Sequence, residues 1–223
     1  MSKNKEKIPG NETGETPFIG NLERATDFSN EIKKIRDLES KIVREHSKPY
    51  GPDNMEKFVE AKELFRILQE KYGIRSPRFD WVIGKNERGR KAVFGVVDKI
   101  DGKNFYELGK LSRKDFNKID NFFEALLRSI IDAWKEGKPF FGDFHRLSQF
   151  MYGRTADDKE NEPYIVDVEP LSIWRPGRSR DKLLLERLEN YIDVCLSHIE
   201  EIGGGTRLTR ARRKLQEMES YVK

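Results

Sequence analysis

The sequence predicts an α+β fold, because helical segments and short strand pairs occupy separate stretches of the chain. Residues 55–69 and 112–137 repeat apolar side chains every three or four positions, which is typical of amphipathic helices. The runs 79–84 and 91–100 are rich in β-branched and aromatic residues and flank a short polar turn. A chain of 223 residues is long enough for one large domain or two smaller lobes.

The amino-terminal part of the chain divides into a tail and a strand-prone region. Residues 1–16 are rich in Lys, Glu, Asn and Gly and have no apolar period, which predicts a mobile tail. The runs 18–20, 30–35 and 40–45 then predict two or three short strands.

The first predicted helix follows a breaker-rich loop in which Asp53 or Asn54 can serve as the N-cap. Its apolar face consists of Phe58, Ala61, Leu64, Phe65 and Leu68. On spacing alone, Glu60 is a solvated surface acid on this helix.

The middle of the chain predicts a hairpin and then a long helix. The polar turn at 85–90 contains Asn and Gly between two β-prone runs, which is a hairpin signal. Ser112 is a suitable N-cap for the helix, and Gly137 closes it. The buried stripe of the helix contains Phe116, Ile119, Phe122, Phe123, Leu126, Leu127, Ile130, Ile131 and Trp134.

Two further helices are predicted near the carboxy terminus. One runs from about 181 to 201 and places Cys195 on its apolar face, which favours a buried structural thiol. The glycines at 203–205 break the chain, and a basic helix follows from Thr206 or Thr209 towards Val222. Interspersed acids make this last helix an ordinary charged surface helix.

Composition narrows the function classes. The net charge is only +4 because acids nearly balance bases, which argues against a dedicated nucleic-acid binder and mildly favours an anionic ligand. A single cysteine excludes an internal disulfide framework and fits a reducing compartment. No apolar stretch follows the charged amino terminus and no run approaches a membrane span, so we expect a soluble, cytoplasmic protein without a membrane partner.

Two acidic motifs next to short apolar runs carry the chemistry. The first, residues 140–152, contains Asp143 and is followed by an amide or hydroxyl side chain; the second, residues 163–170, contains Asp167. A carboxylate without a partner can orient a hydroxyl and accept its proton. A second carboxylate and a side-chain oxygen can hold Mg²⁺, which prefers oxygen ligands and bridges phosphates. Phosphoryl transfer requires little more than this positioning and charge neutralisation.

The pattern G-D-x-H before a polar residue and a strand, answered by I-x-D-x-E, resembles the kinase-like phosphotransferases typified by aminoglycoside and choline kinases. The resemblance implies a bilobal protein-kinase-like fold. A small antiparallel-sheet lobe would span 17–100, and a reduced, mostly helical lobe would span 101–223. It further implies that Asp143 is the catalytic base and that Asp167 binds the metal.

The family has a metal-binding Asn five residues after the base, and this chain has Ser148 there. Gln149 is the alternative ligand if the loop is one residue longer, because residues 150–152 would then form the strand that normally follows. Both residues stay candidates for the metal.

The resemblance also implies nucleotide contacts. Arg44 stands where the family has a Lys that contacts phosphates, and Glu60 matches the helix Glu that braces that cation. Lys41 could replace Arg44 only if the strand register differed, because residues three apart face opposite sides of a strand. Val97 and Lys99 match the hinge positions whose backbone contacts the base. The family's glycine-rich loop is absent.

These observations lead to one hypothesis and one main alternative. A third possibility, a nucleic-acid-binding protein that uses the basic final helix, rests on charge alone and ranks below both. The hypothesis is an ATP- and Mg²⁺-dependent phosphotransferase that acts on a hydroxyl of a small molecule. The alternative is a pseudokinase that binds partners without catalysis, since the glycine-rich loop is missing and Arg44 replaces Lys.

Overall fold

The structure is a computed structural model, and it describes most of the chain from Lys41 onward. The described residues are 41–46, 55–86, 88–137, 140–141, 147–166, 172–173 and 178–222. The description is limited to the backbone at 44–46, 55, 140–141, 172–173 and 178–181. The predicted tail at 1–16 and the predicted strands at 18–20 and 30–35 lie outside the described residues.

The fold is α+β, as the sequence predicts, and the chain divides into two compact units. The first unit comprises the chain up to Val59 together with Arg78–Lys99. The second comprises Glu60–Pro77 and Ile100–Lys223. The boundary at Val59 falls within the first described helix, α1, which spans Met55–Tyr72.

The first unit contains a three-stranded antiparallel sheet in the order β1-β3-β2. Its strands are β1 (Lys41–His46), β2 (Phe79–Lys85) and β3 (Lys91–Asp98). The central strand β3 is buried at five consecutive positions, 92–96. This burial explains why its sequence reads as a continuous apolar run rather than as an alternating one.

Aromatic side chains build the core of the first unit. Trp81 on β2 is fully buried, and Phe58 from the first turns of α1 packs on it edge to face, with ring centroids 5.1 Å apart. Phe79 contacts the same indole at 4.9 Å. Edge-to-face contacts of this kind add to the free energy gained by burying the rings.

The second unit contains two small sheets. Three antiparallel strands, β4 (Asp101–Asn104), β6 (Phe150–Arg154) and β7 (Glu162–Ile165), pair in the order β4-β6-β7. The two-residue strands β5 (Phe140–Phe141) and β8 (Ser172–Ile173) form a separate antiparallel pair.

Two glycines allow β4 and β6 to approach closely. Gly102 and Gly153 are directly paired in the register. A Cβ added to Gly102 would lie 2.4 Å from the carbonyl oxygen of Tyr152, and one added to Gly153 would lie 2.5 Å from that of Asp101. No side chain fits at either position, so only glycine is compatible with this pairing.

Three helices complete the second unit among the described residues: α2 (Arg113–Lys135), α3 (Arg178–Ile202) and α4 (Thr209–Val222). Ser112 caps α2, because its hydroxyl accepts a hydrogen bond from the amide of Asp115 at 3.2 Å. Gly137 follows the helix with φ +67°, a conformation that favours glycine.

The predicted stripe of α2 packs into an aromatic cluster. Phe122 and Phe123 meet Phe105, which precedes the helix, and Phe150 at the start of β6. The ring of Phe123 lies 5.8 Å from that of Phe105 and 5.4 Å from that of Phe150. This cluster ties α2 to the β4–β6–β7 sheet.

A carboxylate on α2 caps the last helix. Asp120 is buried and accepts hydrogen bonds from the backbone amides of Arg210 and Ala211, at 3.2 and 2.9 Å. Between α3 and α4, Glu200 accepts from the guanidinium of Arg212 and from the amide of Leu208. These bonds satisfy first-turn amides of α4 that have no partner within the helix.

The predicted helices and the β2–β3 hairpin are confirmed, with bounds that shift by up to three residues. The prediction for the segment after β3 is not confirmed. The sequence predicts a strand from 91 to 100, whereas β3 ends at Asp98 and β4 begins at Asp101, after two intervening residues. None of the described helices is long and apolar enough to cross a membrane.

Candidate functional site

The predicted catalytic base Asp143 and the predicted metal ligand Asp167 lie outside the described residues, but backbone on either side of them is described. On one side, Phe141 pairs with Ser172. On the other, the amide of Val166 donates to the carbonyl of Gln149 at 2.9 Å.

These two pairings connect the same two stretches of chain. The segment with Asp143 runs from Phe141 to Gln149, and the segment with Asp167 runs from Val166 to Ser172. Both segments therefore start and end at shared anchors. In sequence, Asp143 is two residues from the anchor Phe141, and Asp167 is one residue from the anchor Val166.

The two alternative metal ligands differ in environment. Residues Leu147–Gln149 form a 3-10 turn, in which Ser148 is exposed and Gln149 is buried with 9% exposure. The strand β6 begins at Phe150, so the strand predicted at 150–152 is confirmed. The register pairs Phe150 with Ile165, which brings Gln149 opposite Val166, the residue before Asp167.

The first unit places the predicted nucleotide-contacting positions in one sheet. Position 44 is paired with Gly95, and Gly95 is paired with Trp81. Directly paired residues of an antiparallel sheet share a face, and faces alternate along a strand. Positions 44 and 97 therefore belong to the face that carries Trp81. Lys99 follows β3 and is exposed.

Lys41 lies on the opposite face and is engaged elsewhere. Its register partner is Asp98, and its ammonium forms a short ion pair with that carboxylate. Asp98 also accepts from the guanidinium of Arg78 at 2.9 Å and donates its amide to the Arg78 carbonyl at 2.8 Å. The register thus leaves Arg44 as the candidate cation of β1.

Glu60 is exposed on α1. The buried positions of the helix are Phe58, Ala61, Phe65 and Leu68, so Glu60 lies outside the buried stripe, as a solvated acid would. The side chain of Arg44 is outside the description, and the ion pair predicted between the two residues stays a prediction.

A network in the β6–β7 hairpin was not predicted from the sequence. Asp158 accepts hydrogen bonds from the backbone amide of Thr155 at 3.0 Å, from the Thr155 and Tyr164 hydroxyls, and from the guanidinium of Arg75 at 2.6 Å. Burial alone would raise the pKa of Asp158, but these bonds and the charge of Arg75 lower it to about 2. The Thr-x-x-Asp spacing is the only sequence signal for it.

Two other acids of this hairpin are also neutralised. Glu160 accepts from Lys114 at 2.7 Å and from Lys118 at 2.9 Å, and Glu162 accepts from Lys118 at 2.7 Å. The hydrogen bonds from the two ammonium groups lower the pKa of Glu160 to about 2. All three acids thus have cationic partners inside the unit.

A pocket of about 200 Å³ lies within the second unit. Its polar lining includes Arg75, Lys118 and Glu162, which are already committed to the ion pairs described above. It contains none of the predicted site residues. Within the described part of the chain, no three His, Cys, Asp or Glu side chains form a group that could hold a metal ion.

Comparison of this chain with protein-family models, with curated proteins and with solved structures finds no match.

Proposed function

We propose that this protein is an ATP- and Mg²⁺-dependent phosphotransferase that transfers a phosphoryl group to a hydroxyl of a small molecule. The observation that supports it most is the pair of shared anchors, Phe141 with Ser172 and Gln149 with Val166. These pairings join the described residues on both sides of the two aspartate-bearing segments, and catalysis by positioning requires that the two carboxylates be close together.

The donor set fits the metal. Mg²⁺ is commonly bound through one or two carboxylates together with substrate phosphates, so a cluster of three acids is not required. Asp167 would supply a carboxylate. Gln149, which lies opposite Val166, the residue before Asp167, would supply an amide oxygen. Ser148 is the alternative oxygen ligand. When bound, Mg²⁺ neutralises charge on the phosphate oxygens.

In the proposed reaction, Asp143 accepts the proton of the acceptor hydroxyl. The hydroxyl oxygen forms a bond to the γ-phosphorus of ATP, the bond from that phosphorus to the bridging oxygen breaks, and ADP leaves with the electron pair. Gln149 or Ser148 and Asp167 keep the phosphates in place.

The fold proposal is a bilobal kinase-like arrangement. In the first unit, Arg44 would contact phosphates, and the backbone at Val97 and Lys99 would contact the base. The direct pairing of β1 with β3 supports this assignment, because one nucleotide must reach both strands. Glu60 would brace Arg44. We propose the cytoplasm as the location, since it supplies ATP and keeps the single thiol reduced.

Thermal unfolding with and without saturating ATP and Mg²⁺ tests the proposal. Ligand at a hundred times its dissociation constant stabilises by about 2.7 kcal/mol. For a chain of this size, that raises Tm by roughly 5 to 10 °C. We expect a Mg²⁺-dependent shift in the wild type that Asp167→Ala abolishes.

Asp101→Ala is the matched control. The Asp101 side chain is 85% exposed and its ion pair with Arg154 is long, at 3.7 Å, so its removal should leave the ATP shift unchanged. If the wild type shows no shift under any condition, the phosphotransferase proposal is wrong.

The pseudokinase alternative predicts a different pattern. Arg44 offers a planar guanidinium where the family has an ammonium, and the two are not interchangeable at phosphates. The alternative predicts that nucleotide raises Tm but that ATP is not consumed with any alcohol in a panel of small alcohols. It also predicts that Asp143→Asn keeps the same Tm shift.

A further inference from the structure

The turn between β2 and β3 carries a dense group of cations. We call residues 85–86 and 88–91 the hairpin tip; Glu87, which separates them in sequence, lies outside the described residues. The four basic residues of the hairpin tip are exposed. None of their side chains forms an ion pair or a hydrogen bond with any residue that the structure describes. They are Lys85, Arg88, Arg90 and Lys91.

The backbone of the hairpin tip is fixed by its own bonds. The side-chain oxygen of Asn86 accepts from the amides of Arg88 and Arg90, both at 3.0 Å. The amide of Asn86 donates to the Arg90 carbonyl at 2.9 Å, and Gly89 has φ +69°. The two arginines are therefore presented from a preorganised turn, which lowers the entropy lost on binding.

Two of the cations oppose each other. Lys85 and Lys91 are directly paired across β2 and β3, so both side chains stand on one face of the hairpin. Like charges in this arrangement destabilise an antiparallel pair. Among the described residues, no acid forms an ion pair with either lysine. A negatively charged partner would offset the repulsion between the two lysines.

We propose that the hairpin tip binds the phosphate backbone of duplex nucleic acid. It contains no apolar or aromatic residue, so it offers nothing to insert into a lipid surface or to stack on unpaired bases. Guanidinium groups bind phosphates through paired hydrogen bonds. A two-stranded ribbon fits the major groove of B-form DNA, where cations on both strands can reach phosphates.

The binding is sequence-independent, because contacts to phosphates position a protein without reading bases. It also stands apart from the proposed phosphotransfer. The net charge of +4 argues against a protein that binds nucleic acid over its whole surface, whereas this contact depends only on a local group of cations.

The test is fluorescence anisotropy of a labelled 20-base-pair DNA duplex titrated with the full chain at several NaCl concentrations. Four phosphate contacts give a slope of log K against log salt of about −3.5. Affinity should therefore fall by roughly a hundredfold between 50 and 200 mM NaCl.

The decisive variant neutralises the hairpin tip with Lys85→Gln, Arg88→Gln, Arg90→Gln and Lys91→Gln. We expect this variant to bind about a hundredfold more weakly at 50 mM NaCl, with a slope flatter by about three or four. Its far-UV circular dichroism should match the wild type, because all four side chains are exposed.

The control variant removes the same charge from four exposed cations elsewhere, by Lys103→Gln, Lys110→Gln, Lys159→Gln and Arg213→Gln. Its affinity should stay within about threefold of the wild type, since scattered charges are screened beyond roughly 10 Å. Equal losses in both variants would overturn the proposal, and so would a wild type that binds no duplex at 50 mM NaCl.

Further probes identify the source of the phosphates. An RNA duplex of the same length separates A-form from B-form binding, and binding of either one that depends on the hairpin tip supports the proposal. A poly-glutamate of equal charge tests an acidic protein as the partner. If it alone binds and the hairpin tip is needed, the nucleic-acid proposal is wrong and an acidic protein replaces it. Asp143→Asn should bind the duplex like the wild type, which separates this inference from phosphotransfer.

Discussion

Two described hairpins, β2–β3 and β6–β7, each have a side-chain oxygen that accepts a hydrogen bond from a backbone amide of the turn. They differ in whether their charged side chains form ion pairs. In β2–β3, Asn86 accepts from backbone amides two and four residues ahead; in β6–β7, Asp158 accepts from the amide of Thr155. Three acids of β6–β7, Asp158, Glu160 and Glu162, form ion pairs with Arg75, Lys114 and Lys118. The four cations of the β2–β3 turn form no ion pair with any residue that the structure describes. Charges that stabilise a fold are paired within it, whereas unpaired charges on a rigid turn are available to a ligand.

The largest loss of stability should follow removal of the Asp158 side chain from the β6–β7 turn. Asp158→Ala removes hydrogen bonds to Thr155 and Arg75 and leaves the hydroxyl of buried Tyr164 without its acceptor, which should cost about 2 to 3 kcal/mol. Urea unfolding measures the loss. The neighbouring exposed residue supplies the control, since Lys159→Ala should change stability by less than about 0.5 kcal/mol. If Asp158→Ala and Lys159→Ala lose the same stability, the hydrogen bonds of Asp158 do not stabilise the fold.

Acid should affect β6–β7 through the same carboxylate. The folded pKa of Asp158, about 2, lies below its usual value of 3.8, so its contribution is complete above about pH 4 and is lost as pH falls towards 2. The contribution is about 2 kcal/mol. We expect the stability difference between wild type and Asp158→Asn to shrink between pH 4 and pH 2. A constant difference would contradict the assignment.

The β2–β3 turn should respond more weakly. Gly89 has φ +69°, so Gly89→Ala should cost about 1 kcal/mol from backbone strain. Gly109→Ala is the matched control, because Gly109 has an ordinary φ and open space around its Cα. Denaturant midpoints of the two variants give the comparison, and equal midpoints would show that the turn is not held in this conformation.

The smallest effect has the opposite sign. Lys91→Glu places an acid directly opposite Lys85 and converts a repulsive pair into an attractive one, which should stabilise the fold by about 0.5 kcal/mol. The same change should weaken duplex binding. Lys103→Glu makes an equal charge change away from the hairpin and should do neither. A variant that loses stability would mean that the two lysines are not in repulsive contact.

Much of the fold could be predicted because its signals are local. The spacing of apolar residues located α1 and α2, and Asn86 with Gly89 marked the β2–β3 turn. The strand β4 was missed because Gly102 lacks any strand propensity. Its pairing depends on Gly153, which lies 51 residues further along, so no local pattern reports it.

The candidate site divides along the same line. Residue types and spacing suffice to nominate Asp143 and Asp167, and the strand that follows Gln149 was predicted with its first residue. Which charges are neutralised could not be predicted, because partners such as Arg75 and Asp158 are 83 residues apart in sequence. That the cations of the hairpin tip lack described ion-pair partners could not be predicted for the same reason. The net charge does not show it either, because it sums over the whole chain.

The cap that Asp120 provides for α4 makes the order in which structure forms unequal between the two helices. A helix of 14 residues is marginal in water by itself, and the first-turn amides of α4 find an acceptor 90 residues earlier in the chain. The helix α2 has a local cap in its own Ser112, whereas the amides of Arg210 and Ala211 in α4 are capped by Asp120 of α2, so we expect contact with α2 to stabilise α4. The last helix is thus an internal reporter of folding: a spectroscopic label near Tyr221 would register the formation of the α2 core rather than any event of its own.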